Sequence, residues 1–126
     1  MSMSYSGIVM DHFRNPRRVG ELEDCVGRAR LENPVCGDVT EFFVRLGPGS
    51  RVVQVRFRVL GCVAAIAAAS CLGDLVEGRS FAEAESVDVE HLLKALGGLP
   101  ASKKHGATLA VETFRQALKA AWEGTF

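Results

Sequence analysis

At 126 residues the chain has the length of one domain with its own core, and residues 1–126 are expected to form a single unit. Hydrophobic residues make up 48% and charged residues 24%, a balance that excludes a disordered chain. The 15 basic and 15 acidic residues cancel, without the basic excess of nucleic-acid binding, and no apolar run approaches the roughly 20 residues of a membrane span.

Residues 4–13 predict a first helix that docks through Ile8, Val9 and Phe13. Asn15-Pro16 ends it, because the residue before proline disfavours helical backbone. The early Asp11 and the lack of an apolar leader point to a cytoplasmic location. In that setting four cysteines read as free thiols or metal ligands rather than disulfides.

Residues 27–31 alternate weakly and read as a strand. Residues 40–46, rich in Phe and Val, read as a second, and Gly47-Pro48-Gly49-Ser50 as the turn that follows. Residues 51–60 alternate clearly. Val53, Val55, Phe57 and Val59 are expected on one face, with Gln54, Arg56 and Arg58 on a solvated one. An alanine-rich helix is expected over residues 63–78. Ser80 and Glu83 form a capping box for a short helix from Phe81, and residues 89–96 read as another. Residues 103–122 read as a long final helix. Strands first and helices after them predict an α+β fold: a small antiparallel three-stranded sheet, with helices on one face and a long C-terminal helix.

Three loops hold residues that can do chemistry. Cys36 and Asp38 share a Pro/Gly turn, where Gly37 lets the backbone bend so that both point one way. Cys62 stands where the alternating strand gives way to the alanine helix, and His105 opens the last helix. At both helix N-termini the dipole favours anionic ligands. Thiolate, imidazole and carboxylate suit Zn²⁺ or an iron–sulfur cluster. Spacing alone favours reading Cys36 and Cys62 as two small buried residues over reading them as metal ligands. Cys71 reads as core filling, Cys25 as incidental in a loop, and His12 as a surface or capping residue. His91 reads as a surface residue.

At these loops the chain resembles the IscU/NifU-type iron–sulfur cluster assembly scaffolds. Tyr5-Ser6, Asp11-His12 and Asn15-Pro16-Arg17 are similar to that family's opening helix and turn. The runs NPVCGD, GCVAAIAAAS and LPASKKHGATLA are similar to its three site loops. The resemblance implies a scaffold or carrier, not an enzyme, that binds iron or a two-iron, two-sulfide (2Fe–2S) cluster for transfer to apoproteins. It implies ligands at Cys36, Asp38, Cys62 and His105, with Asp38 governing release. It also implies partner-binding or auxiliary roles for Tyr5, Leu99, Pro100 and Lys103. A cysteine desulfurase is the implied partner, with Hsp70/Hsp40-type chaperones reading a weakened LPASK motif. The chain departs from the family at Gly106, where members carry a third cysteine. The alternative is a zinc-binding, desulfurase-interacting module that builds no cluster.

Overall fold

The structure, a computed structural model, describes residues 4–23 and 27–124. Within them the chain forms α1 (Gly7–Arg14), β1 (Gly27–Glu32), β2 (Val39–Gly47), β3 (Arg51–Leu60), α2 (Val63–Val76), α3 (Phe81–Ser86), α4 (Val89–Ala95) and α5 (His105–Gly124). Single 3-10 turns lie at Pro48–Ser50 and Ala101–Lys103. The strands make one antiparallel sheet in the order β1-β2-β3, with helices α2 and α5 packed on it, as the α+β reading expects. Cys25 lies outside the described residues.

Phe42, Val44, Val55 and Phe57 form the helix-facing side of the sheet, all at most 2% exposed. Phe114 of α5 meets Phe42 edge-on at 5.7 Å between ring centres. Each such large side chain contributes about 1.5–3 kcal/mol by leaving water. Helix α2 is apolar almost all round: Ala64, Ala65, Ala67, Ala68 and Ala69 are buried, so it runs through the core between sheet and helices. Cys71 lies in this core, and burial pushes its thiol up to about 11.

The alternation expected of β3 breaks at its start. Val52 pairs with Leu46 and Gln54 with Arg45, which leaves Val53 as an extra, bulged residue. Val52 is therefore buried, while Val53 is 40% exposed and does not join Val55 and Phe57. The outer face is also less solvated than its arginines suggest. Phe43 is 2% exposed there, beneath the Arg28 guanidinium at 5.4 Å, and the buried Glu41 pairs with Arg28 at 2.9 Å.

The outer edge of β3 is sealed by irregular chain. Phe57 donates its N–H to Arg18 O, Gly20 N–H donates to Phe57 O, and Gly78 N–H donates to Val52 O. Arg18 holds a left-handed φ of 70°, pinned by ion pairs to Asp74 and to Glu77 at 3.0 Å.

Helix α1 docks differently from the expectation. Ile8 is 47% exposed, while Val9 and His12 are buried, because Tyr5, Val9 and His12 share one face at helical spacing. His12 is thus neither a surface nor a capping residue. Ser70 of α2, itself fully buried, donates its hydroxyl to His12 Nδ1 at 2.8 Å and accepts the Arg17 backbone N–H at 2.9 Å. Arg17 Nη1, which can only donate, lies 3.3 Å from the same Nδ1, so Nδ1 is the acceptor and the neutral ring carries its proton on Nε2, which faces Asp74 at 3.7 Å.

Candidate metal centre

The loop between β1 and β2 is closed tightly by its own polar groups. Asn33 Oδ1 accepts the Val35 N–H at 2.9 Å, Asn33 N–H donates to Asp38 O at 2.8 Å, and Gly37 takes a φ of 79°. This leaves Cys36 exposed at the tip and folds Asp38 beneath it, 7% exposed, at the start of β2.

Pairing of Val39 with Leu60 then brings Gly61 beside Asp38. A Cβ on Gly61 would stand 2.9 Å from Asp38 Cγ and Oδ1, so the absence of a side chain there makes room for the carboxylate. Cys62 follows as the N-cap residue of α2, half-buried, and its Sγ lies 3.5 Å from Asp38 Oδ2. His105 opens α5, with Nε2 3.9 Å from the same oxygen.

Asp38 is therefore the hub. The donor atoms of Cys36, Asp38 and His105 all lie within 4.8 Å of one another. Cys62 stands outside that mutual set but touches it through Asp38. The four side chains expected from the sequence thus gather at one end of the sheet: Asp38, Cys62 and His105 at the ends of rigid elements, and Cys36 at a loop tip. A cleft of about 260 Å³ between Glu32 and Glu112 opens onto His105. A separate groove of about 790 Å³ along α4, between His91 and Lys104, contains none of the four.

The auxiliary residues fall into two places. Tyr5, Leu99 and Pro100 line one groove of about 370 Å³, which Ser6 closes by donating its hydroxyl to Leu96 O. Leu99 is buried. Lys103 ends the 3-10 turn that precedes α5, so the last helix begins two residues later than expected. Two residues prove structural that the sequence did not mark so: His12, read as surface or capping although its spacing to Val9 puts it on the docking face, and Gly61, which the fold alone makes significant.

A small sheet backed by helices gathers two thiols, an imidazole and a carboxylate at one end, a set of groups that could hold a metal ion. The profile of the NifU-like N terminal domain matches residues 4–124, and the chain belongs to that family. It is 41% identical over 120 residues to the iron-sulfur cluster assembly scaffold protein IscU of Aquifex aeolicus, a match covering 94% of this chain and 76% of that one. It is 39% identical over 114 residues to the iron-sulfur cluster assembly scaffold protein IscU 1 of Archaeoglobus fulgidus, covering 90% and 74%. Among solved structures, the N-terminal NifU-like protein of Brucella abortus superposes with a TM-score of 0.72 at 17% identity over 94% of each chain, a likeness of fold. No helix among the described residues is long and apolar enough to cross a membrane.

Proposed function

We propose that this chain is an iron–sulfur cluster assembly scaffold that holds iron or a nascent 2Fe–2S cluster at Cys36, Asp38, Cys62 and His105. It passes that cargo to apoproteins. The observation that carries this reading is the convergence of three donors within 4.8 Å of one another, with Cys62 Sγ 3.5 Å from Asp38, in a chain of this family. Relatives named as scaffold proteins at 41% and 39% identity support it.

The chemistry follows from the donor set. Cys36, exposed at its loop tip, is the donor an incoming partner meets first. Cys62 and His105 are fixed by helix starts and hold their positions as cargo comes and goes. Asp38 is a hard oxygen donor among softer ones, so it is the ligand most readily exchanged for water or a client thiolate. The desulfurase is the sulfur source in this reading, and apo iron–sulfur proteins are the recipients. Because Leu99 is buried, a chaperone reading the LPASK segment has to lift it from its groove.

Anaerobic incubation with iron(II), cysteine and a cysteine desulfurase tests the function. Iron bound by the wild type and lost in Cys36→Ala and Cys62→Ala, with transfer to an apo-ferredoxin, is the expected result. Absence of both iron and cluster under these conditions refutes it.

A further inference from the structure

The two outer edges of the sheet are finished differently. That of β3 is covered by the backbone of Arg18, Gly20 and Gly78, whereas that of β1 is open. The β1–β2 ladder runs on past β1 to Asn33, whose N–H donates to Asp38 O at 2.8 Å in the same register. In an antiparallel ladder, bonded pairs alternate with non-bonded ones. Gly27, Ala29, Leu31 and Asn33 therefore turn their N–H and C=O toward β2, and Arg28, Arg30 and Glu32 turn theirs away from the sheet. All three are exposed, and among the described residues nothing bonds those outward groups. Such a row of donors and acceptors is a template for one more strand. Only another polypeptide supplies alternating N–H and C=O groups at that pitch.

The side chains of the same three residues stand on the outer face of the sheet, beside the place an added strand takes. Arg30 lies opposite Glu41 in the register, but that carboxylate is held by Arg28 at 2.9 Å and approached by Arg58 at 3.8 Å. Among the described residues the Arg30 guanidinium has no ion-pair partner. Opposite charges set directly across from each other on neighbouring strands attract, and like charges repel. An acidic residue facing Arg28 or Arg30 is thus favoured. Between them, the half-buried Ala29 and Leu31 flank the inner face and favour an apolar residue. A second copy of this chain fits poorly. Antiparallel β1 on β1 sets Arg30 against Arg30 in its central register. Shifted so that Arg30 meets Glu32, it brings Arg28 opposite Pro34, which has no N–H to give.

We propose that the open edge of β1 is a strand-addition site for an extended segment of a partner protein in which acidic residues alternate with apolar ones. The inference goes beyond the scaffold reading and does not rest on it. Because β1 runs straight into the loop that carries Cys36 and Asp38, a partner held there is seated beside the donor set.

Amide exchange followed by NMR on the metal-free chain reads the edge residue by residue. The probe is a short synthetic peptide in which glutamate alternates with valine, and its counterpart carries lysine in place of glutamate. At saturation the glutamate peptide is expected to slow exchange of the Arg28, Arg30 and Glu32 amides about tenfold or more, leaving those of Ala29 and Leu31 unchanged. The lysine peptide is expected not to bind. Arg30→Gln keeps the N–H and loses the charge, so it is expected to weaken the glutamate peptide several-fold and to flatten its salt dependence. Arg30→Pro removes one outward N–H without touching the β2 ladder and is expected to weaken binding about tenfold. Should Arg30→Pro not fold, methylation of the peptide amides that face β1 removes the same bonds from the other side. Equal binding of the two peptides, no protection of the three amides, or binding indifferent to peptide methylation overturns the inference. So does a wild type whose three amides are already protected by a second copy, seen as a dimer in sedimentation.

Discussion

Replacing Ser70 by alanine tests whether the first helix is held to α2 by a buried polar joint. Ser70 is 0% exposed; it bonds His12 Nδ1 at 2.8 Å and the Arg17 N–H at 2.9 Å. Alanine removes both bonds, strands the Arg17 N–H and leaves His12 Nδ1 with Arg17 Nη1 at 3.3 Å. A stranded buried group costs about 1–3 kcal/mol and a lost bond about 1 kcal/mol, so a total of about 2–4 kcal/mol is expected. With an unfolding entropy of roughly 2.1 cal/mol/K per residue, that lowers Tm by about 8–15 °C for a chain of this length. Urea unfolding of the metal-free protein, followed by circular dichroism, reads the difference. A loss below about 0.5 kcal/mol, the range of ordinary surface substitutions, refutes the reasoning.

The same joint makes stability depend on pH with a definite sign. Burial pushes the His12 imidazole below its ordinary value of 6.5, and the Arg17 and Arg18 charges act the same way, against Asp74 and Asp11. The folded chain therefore keeps His12 neutral at a pH where the unfolded chain binds a proton. Its contribution is fully present above about pH 6.5 and is lost as pH falls from there toward the folded value. His12→Gln retains a hydrogen-bonding side chain but cannot charge, so its stability profile is expected to be flatter than the wild type's between about pH 7 and 5. Parallel profiles would sink this account.

Asp38→Ala removes the exchangeable oxygen donor, and a reconstituted cluster is expected to survive several-fold longer in air, read as the half-life of its visible absorption. Gly61→Ala places a methyl 2.9 Å from Asp38 Cγ and displaces the carboxylate. A drop of about 10-fold or more in zinc affinity, measured by competition with a chelator dye, is the expected outcome. Val52→Thr buries a hydroxyl at a 0% exposed position and is expected to cost about 1–3 kcal/mol. Val53→Thr, on the bulge, is expected to stay within about 0.5 kcal/mol of the wild type by urea unfolding.

Element types were legible because local signals agreed with the fold. Ser80 and Glu83 form the capping box they spell, and the alanine run of α2 is the buried helix its composition implies. The four residues of the candidate site stood out through their three loops, although their convergence on Asp38 depends on strand pairing that no local pattern contains. Three misreadings have physical causes. Ile8 looked like core because it is apolar, but the docking face follows Tyr5, Val9 and His12. His12 looked like surface because its partner, Ser70, lies 58 residues away. Val53 looked like core because a bulge is invisible to a period-two count. Gly106 stood out as a missing thiol, and its packing against Ala64 and Ala65 emerged from the three-dimensional contact alone.

The bulge at Val53 has a consequence at the far end of the hairpin. Beyond it, Arg45 faces Gln54 and the same offset runs on to Val39 facing Leu60. Were the pairing of Leu46 with Val52 continued without that extra residue, Val39 would face Val59, and every later side chain of β3 would turn over. The hairpin thus works as a ruler, with one marked correction near its turn, that sets how far Cys62 stands from Asp38. Insertions at the exposed Pro48-Gly49 tip leave the ruler unchanged, whereas one residue gained or lost between Gln54 and Leu60 misaligns the donors while leaving all of them in the chain.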